Sequence, residues 1–218
     1  MKVINLLMVA IVLLASCEKE DDASSTNTPE NQLKITHMPL SVGNYWVYQY
    51  YKIDTNGTET ELTKQDSVYV IGDTIINNNT YIALGSVIIS QPNSIVNYSF
   101  YRDSIGYLVN NRGVILFSET NFTDTLQVDV SLYEGDTTYM VSWMMENYNN
   151  TISLPIGVFD NILNYKGTLC LGINPNNVEN PRFQNNYYSD NIGIIQENYY
   201  YLNGSDSFEK RLINYHVN

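Results

Sequence analysis

The residues first in line for acid–base or thiol chemistry in this chain are His37, His216, Cys170 and the carboxylates. A serine or cysteine nucleophile needs a histidine within hydrogen-bonding reach and an acid to orient that histidine. His37 precedes the first strand-like run and His216 stands two residues before the last, positions that usually lie at the surface. Cys170 sits in the alternating stretch Lys166-Gly167-Thr168-Leu169-Cys170-Leu171, which reads as a strand carrying a small buried thiol. A reactive thiol needs a base or cation beside it. Two histidines and one such thiol also make a poor zinc set. Asp54-Thr55-Asn56-Gly57-Thr58-Glu59 alternates oxygen side chains around a glycine, as half a calcium loop does. A full site wants about six to eight oxygens and a closing acid, so the stretch reads better as a hairpin turn. Paired carboxylates hydrolyse glycosides when held roughly 5–9 Å apart. The chain has 23 acids, five of them in residues 18–32, and the eighteen that remain offer many pairs with nothing to choose between them. No catalytic residue, metal ligand or cofactor is expected.

Aromatic side chains are the stronger lead. Nine of the nineteen tyrosines cluster at Tyr45–Tyr51, Tyr187-Tyr188 and Tyr199-Tyr200-Tyr201. In a strand Tyr199 and Tyr201 share a face and Tyr200 takes the other. Tyr187, Tyr188, Tyr199 and Tyr201 are therefore candidates for an aromatic platform that takes a sugar or a peptide. The competing reading has each ring buried at the rim of a β core and each hydroxyl in water.

The elements that would position these residues are strands. Tyr45-Trp46-Val47-Tyr48-Gln49-Tyr50-Tyr51 is aromatic and β-branched, which favours a pleated surface. Asn56-Gly57 follows it, a strong short hairpin signal, and Ser67–Ile71 reads as the return strand. Asp73–Ile76 and Thr80–Ile89 read as the next hairpin around Asn77-Asn78-Asn79. Further runs follow at Ile95–Arg102, Gly106–Val109, Val114–Ser118, Thr125–Leu132, Tyr139–Tyr148 and Ile162–Ile173. The last are Tyr187-Tyr188 into Ile192–Ile195, then Tyr199–Leu202 and Phe208–Val217, and Asn174–Asn186 reads as the longest irregular stretch. No window holds a helical apolar spacing for three turns. The pattern predicts one all-β domain over 33–218: a single antiparallel, strongly curved sheet, a sandwich or a partly open barrel.

The N-terminus carries an address. Lys2 precedes the apolar run Leu6–Ala15, which is too short for a bilayer span of about 20 residues but suits the core of a secretory signal. Leu14-Ala15-Ser16-Cys17 resembles a bacterial lipoprotein signal, which implies cleavage after Ser16 and acylation of Cys17. Residues 1–16 are then the signal, 17–32 a polar tether too poor in apolar side chains to fold, and 33–218 the domain. Losing residues 1–16 removes Lys2 and no acid, so the formal charge falls from −12 by one, to −13. That balance argues against nucleic acid and against adsorption to anionic headgroups. The expected partner is the bilayer itself, through the acyl chains on Cys17. Glu18, Glu20, Asp21 and Asp22 resemble the acidic export signal of surface lipoproteins of Bacteroidota, which implies the outer leaflet of the outer membrane; without export the domain faces the periplasm.

Three segments carry a further resemblance. Pro39-Leu40-Ser41-Val42-Gly43-Asn44-Tyr45-Trp46-Val47-Tyr48 is similar to the opening "PL-x-x-GN-x-W-x-Y" of a group of uncharacterised Bacteroidota lipoproteins. Leu154–Asn161 is similar to its "P-x-G-x-F-x-N" segment, and Tyr187–Glu197 to its "YY-x-x-x-IG-x-I" segment. The resemblance implies a β-rich envelope domain and no activity. Asp-Ser or Asp-Thr followed by an aliphatic residue or Thr places Ser67, Thr74, Ser104, Thr125 and Thr137 in the pattern of an O-glycosylation sequon of that phylum. Together these readings predict a non-enzymatic envelope module for a glycan, peptide or envelope partner. The alternatives are a carboxylate-based hydrolase and a structural or assembly component of the outer membrane.

Overall fold

The computed structural model describes residues 35–134, 136–171, 182–201 and 204–218. Among them the chain forms β1 (Tyr45–Ile53), β2 (Glu59–Ile76), β3 (Asn79–Ile88), β4 (Asn97–Asp103), β5 (Tyr107–Asn110), β6 (Ile115–Ser118) and β7 (Gln127–Tyr133). There follow β8 (Asp136–Tyr148), β9 (Ile152–Leu154), β10 (Gly157–Phe159), β11 (Ile162–Leu171), β12 (Arg182–Ser189), β13 (Gly193–Tyr200) and β14 (Ser207–His216). Twelve of these make one antiparallel sheet in the order β6-β5-β4-β3-β2-β1-β14-β13-β12-β11-β8-β7, and β9 and β10 form a separate hairpin. The sheet is all-antiparallel and curls until it nearly closes into a barrel. Of the architectures left open by the sequence, the sandwich is excluded.

Curvature comes from defined places. β2 reads from the sequence as two short strands; it is one strand of 18 residues, bent by a bulge between Val70 and Gly72. Further bulges fall at Val47/Tyr48 against β14, at Gln49/Tyr51 against β2 and at Tyr187/Tyr188. Each adds a residue to one strand and sharpens the local twist. The edge strands β6 and β7 do not pair with one another. Instead the hydroxyls of Tyr165 and Tyr188 donate to the backbone carbonyls of Ile115 and Leu116, at 2.8 and 3.4 Å, and so pin β6 to β11 and β12 from inside.

Trp46, Phe117, Met145, Ile162, Ile195 and Leu212 are fully buried inside the curl. Phe117 packs on Tyr188 with ring centroids 4.4 Å apart. Ile35 and Met38 belong to the same core, so the segment before β1 lies against it as a strap. Glu119 holds that strap by accepting the backbone N–H of His37 at 2.8 Å and that of Thr36. Asn44 is wholly buried; its amide donates to the Pro39 carbonyl and its oxygen accepts the Asn218 N–H, joining the two ends of the domain.

One expectation is corrected and one refined. Asn174–Asn186 reads as irregular, yet β12 begins at Arg182. Its first residues, Phe183 apart, are polar and are held by an amide ladder, Asn164 to Asn185 at 2.8 Å and Asn185 to Asn198 at 2.7 Å, which an apolar alternation cannot reveal. Tyr187-Tyr188 reads as running into Ile192–Ile195, and between them a turn separates β12 from β13, with Asn191 at φ 57° and Gly193 at φ 104°. Added at Gly193, a Cβ would also stand 3.3 Å from Trp46 Nε1, so glycine is required twice over.

Candidate functional site

Cross-strand partners share a face of the sheet. The pairs Tyr50–Lys210, Lys210–Glu197, Glu197–Asn186, Asn186–Tyr165 and Tyr165–Met145 therefore define one row on the inner face, across β1, β14, β13, β12, β11 and β8. Tyr48 pairs with Asp66 of β2 on the same face. The row is apolar at one end and ionic at the other.

The ionic end is a cluster built on Lys210. Its Nζ lies 3.0 Å from Glu197 Oε2, 3.6 Å from Asp66 Oδ2 and 4.2 Å from the centroid of the Tyr48 ring. The Tyr50 hydroxyl donates to Asp66 Oδ2 at 2.9 Å. Burial works against the Lys210 charge, but Glu197 and Asp66 outweigh it and hold the ammonium above its ordinary pKa. Burial first, and then the Asp66 charge, push Tyr50 far up; burial and Glu197 do the same to Tyr48. Both phenols stay protonated and donate. Tyr48 sends its proton to the Ile194 carbonyl at 2.9 Å, and Trp46 Nε1 donates to the Ile192 carbonyl.

One atom of this cluster is left over. Asp66 Oδ1 is buried and has no hydrogen-bond partner. A buried carboxylate oxygen without a donor costs about 1–3 kcal/mol or more. Asp66, Glu197 and Lys210 line a cavity of about 200 Å³, walled by Trp46, Tyr48 and Tyr101 and also faced by Ser86 and Ser99. Among the described residues no hydrogen bond engages the side chains of Ser86, Ser99 or Tyr101. Acceptor, ammonium, free hydroxyls and aromatic wall converge on one small space.

The residues singled out in the sequence fall elsewhere. Tyr188 is 3% exposed and belongs to the core, so it contributes to no surface platform. Tyr187 packs on Tyr148 at 4.9 Å, and burial first and then Tyr148 push its phenol up to about 12. Tyr199 and Tyr201 do meet, edge to face at 5.8 Å, and both pack on Phe208. Burial, and then Tyr201, push Tyr199 up to about 12. His37 Nδ1 meets Glu119 at 2.9 Å and the Thr36 hydroxyl at 3.3 Å, and His216 reaches Asn218. Cys170 is buried. Asp54 Oδ1 accepts the N–H groups of Asn56 and Thr58, both at 2.8 Å, which closes the hairpin and lowers its pKa. Of the five sequon positions Thr125 is exposed, and Ser67, Thr74, Ser104 and Thr137 are half-buried. Ser16, Cys17, Glu18, Glu20, Asp21 and Asp22 lie outside the described residues. Among the described residues no cluster of three or more His, Cys, Asp or Glu side chains could hold a metal ion.

Asp66, Glu197 and Lys210 were the residues to look for, and the signal is phase. Lys210 stands between Phe208 and Leu212, Glu197 between Ile195 and Tyr199, and Asp66 two before Val68 and four before Val70. Each charge occupies an inward position of an alternating strand.

No family model matches the chain, and no curated protein matches it either. Two solved structures are similar to it. One is a lipoprotein candidate from Parabacteroides distasonis, at 14% identity and a TM-score of 0.44, covering 83% of this chain and 98% of that one. The other is a candidate exported protein with a YmcC-like fold from Bacteroides fragilis, at 11% identity and a TM-score of 0.45, covering 82% and 98%. Neither description names an activity.

Proposed function

We propose that this chain is a lipid-anchored envelope module that binds a small polyhydroxylated ligand, the terminal sugar of a glycan, on the inner face of its barrel. The observation that carries the reading is Asp66, whose buried Oδ1 has no donor and which lines a cavity together with an ammonium and an aromatic wall. A sugar offers hydroxyls that donate to Asp66, accept from Lys210 and exchange with Ser86, Ser99 and Tyr101. Its apolar face packs on the ring of Tyr101 or Trp46. Hydrolysis is the weaker reading. It needs one carboxyl free to protonate the leaving oxygen, and Asp66 and Glu197 both bind Lys210.

Fluorescence tests the reading directly. The chain has two tryptophans, so Trp143→Phe leaves Trp46, on the cavity wall, as the sole reporter. Neutral hexoses and N-acetylhexosamines are titrated in turn. Saturable quenching or enhancement by one of them is expected, weakened at least tenfold by Asp66→Asn and less by Tyr101→Phe. No response to any sugar, or a response that Asp66→Asn leaves intact, refutes the proposal. The anchor and export address are tested by protease treatment of intact cells. Digestion of the wild type, with protection when Glu18, Glu20, Asp21 and Asp22 are neutralised, supports display on the outer leaflet. Protection of both places the domain in the periplasm. Intact mass from native cells decides whether Thr125 or any of the other four sequon positions is glycosylated.

A further inference from the structure

A second cavity lies between the strap and the ends of β3 and β4, and Met38 is the one residue that lines both it and the Asp66 site. It measures about 460 Å³, within the roughly 300–1,000 Å³ of ligand pockets. Ile35, Met38, Leu40, Ile82 and Leu108 form the apolar part of its wall, and Thr36, Ser41, Thr80, Asn191 and Asn218 the neutral polar part. Two charged residues line it, Arg102 and Asp103.

These two charges are not partners. Asp103 is already used, since Oδ2 accepts the Ile35 N–H at 3.1 Å and Oδ1 accepts the Gly106 N–H at 3.0 Å. Among the described residues no ion pair involves Arg102. Its Nε is buried with no hydrogen-bond partner, and the guanidinium carbon sits 5.6 Å from the Tyr81 ring centroid. A guanidinium is always charged and presents its donors as a planar fork that matches a carboxylate. Leaving a buried donor of this kind unpaired is costly. The local chemistry also limits the anion. One cation, with an aspartate next to it in the chain, suits a monoanion better than a dianion such as phosphate. The apolar part of the wall, from Ile35 and Met38 to Ile82 and Leu108, suits a hydrocarbon tail.

We infer that this cavity is a binding site for an apolar monocarboxylate, a medium-chain fatty acid, with its carboxylate on Arg102 and its tail between the strap and the ends of β3 and β4. The site is separate from the sugar site and does not depend on it.

The experiment uses the full chain carrying Cys17→Ser, which removes the expected acylation, and titrates decanoate and 1-decanol by calorimetry. Decanoate is expected to bind one to one, and decanol at least tenfold more weakly, because the alcohol lacks the charge that pairs with Arg102. Arg102→Met is expected to weaken decanoate at least tenfold and to abolish the difference between the two ligands. Asp66→Asn is expected to leave decanoate binding unchanged, so failure here is distinguishable from failure of the sugar site. Should Arg102→Met not fold, the ratio of decanoate to decanol on the parent chain decides. Equal affinity for acid and alcohol, no saturable decanoate binding, or unchanged binding by a folded Arg102→Met variant overturns the inference.

Discussion

Replacing Lys210 with methionine keeps most of the side-chain volume and deletes the charge that Asp66 and Glu197 share. The side chains of Lys210 and Asp66 are 15% and 12% exposed, and that of Glu197 25%, so water screens this cluster poorly. Removing one partner from a buried ionic group costs about 3–5 kcal/mol, because the remaining charge is left uncompensated. For a domain of this length each kcal/mol is about 2–4 °C, so the melting temperature at pH 7 should fall by roughly 6–20 °C. The pH dependence is the sharper part. In the variant the two carboxylates face one another without a cation, and their repulsion destabilises the fold wherever both are ionised. Acid neutralises them and relieves it. The gap between variant and parent should therefore narrow from pH 7 to pH 4.5, and adding Asp66→Asn and Glu197→Gln should restore most of the loss at pH 7. Thermal melts followed by circular dichroism measure all of this. A loss below about 1 kcal/mol, as for an exposed pair, or a gap that is constant with pH, refutes the claim that the cluster is buried and coupled.

Four further outcomes are expected. Burial works to raise the Glu119 pKa, but hydrogen bonds from His37 and Thr36 outweigh it and hold the carboxyl below its ordinary value. Its stabilisation is thus present above the unfolded pKa of about 4.3 and is lost as pH falls through the lower folded value; Glu119→Gln should melt below the parent at pH 7 and converge with it toward pH 3. Gly167→Ala puts a Cβ 2.9 Å from the Trp143 ring and from Val141, and Trp143 is pinned by Asp129 at 2.8 Å and stacked on Tyr165 at 4.9 Å, so overpacking should cost about 1–3 kcal/mol in chemical denaturation. Gly85→Ala meets only the far end of Tyr69, at 2.6 Å, and should cost less than Gly167→Ala because that ring is free to swing. Leu212→Ala, at a wholly buried position, should cost about 3–5 kcal/mol in the same assay, and a cost under 1 kcal/mol would place Leu212 outside the core.

Period-two alternation was enough to read an antiparallel, curved, all-β domain, because most strands carry aromatic and aliphatic residues at alternate positions. Where the reading failed, polar side chains had replaced apolar ones at sheet positions. Asn164, Asn185 and Asn198 bond one another across β11, β12 and β13, and an amide ladder has no hydropathy signature. The turn at Asp190–Ile192 was hidden for the opposite reason, since Gly193 lies among Ile192, Ile194 and Ile195 and the whole stretch reads as strand. Closure of the curl is a tertiary property. No local pattern says that β6 and β7 stay unpaired.

The tyrosines show the limit most clearly. Residue type alone offered two roles, a platform for a ligand or a ring buried at the rim with its hydroxyl in water. Tyr48, Tyr165 and Tyr188 follow neither, since each is buried and donates to a backbone carbonyl, of Ile194, Ile115 and Leu116. Phenylalanine at these positions would preserve the packing and leave each carbonyl without that donor. Tyrosine is what lets an inner-face aromatic also hold an edge strand or a turn. At the Lys210 cluster the same residue type serves a third purpose. Tyr50 occupies Asp66 Oδ2, and Oδ1 of the same carboxylate is left without a partner. Tyr50→Phe therefore tests whether that division of the carboxylate matters. Without the Tyr50 hydroxyl Asp66 can rotate to give both oxygens to Lys210, and sugar binding should weaken several-fold while the core packing around Trp46 is unchanged. Binding that survives Tyr50→Phe at full strength would mean that Asp66 is oriented by Lys210 alone.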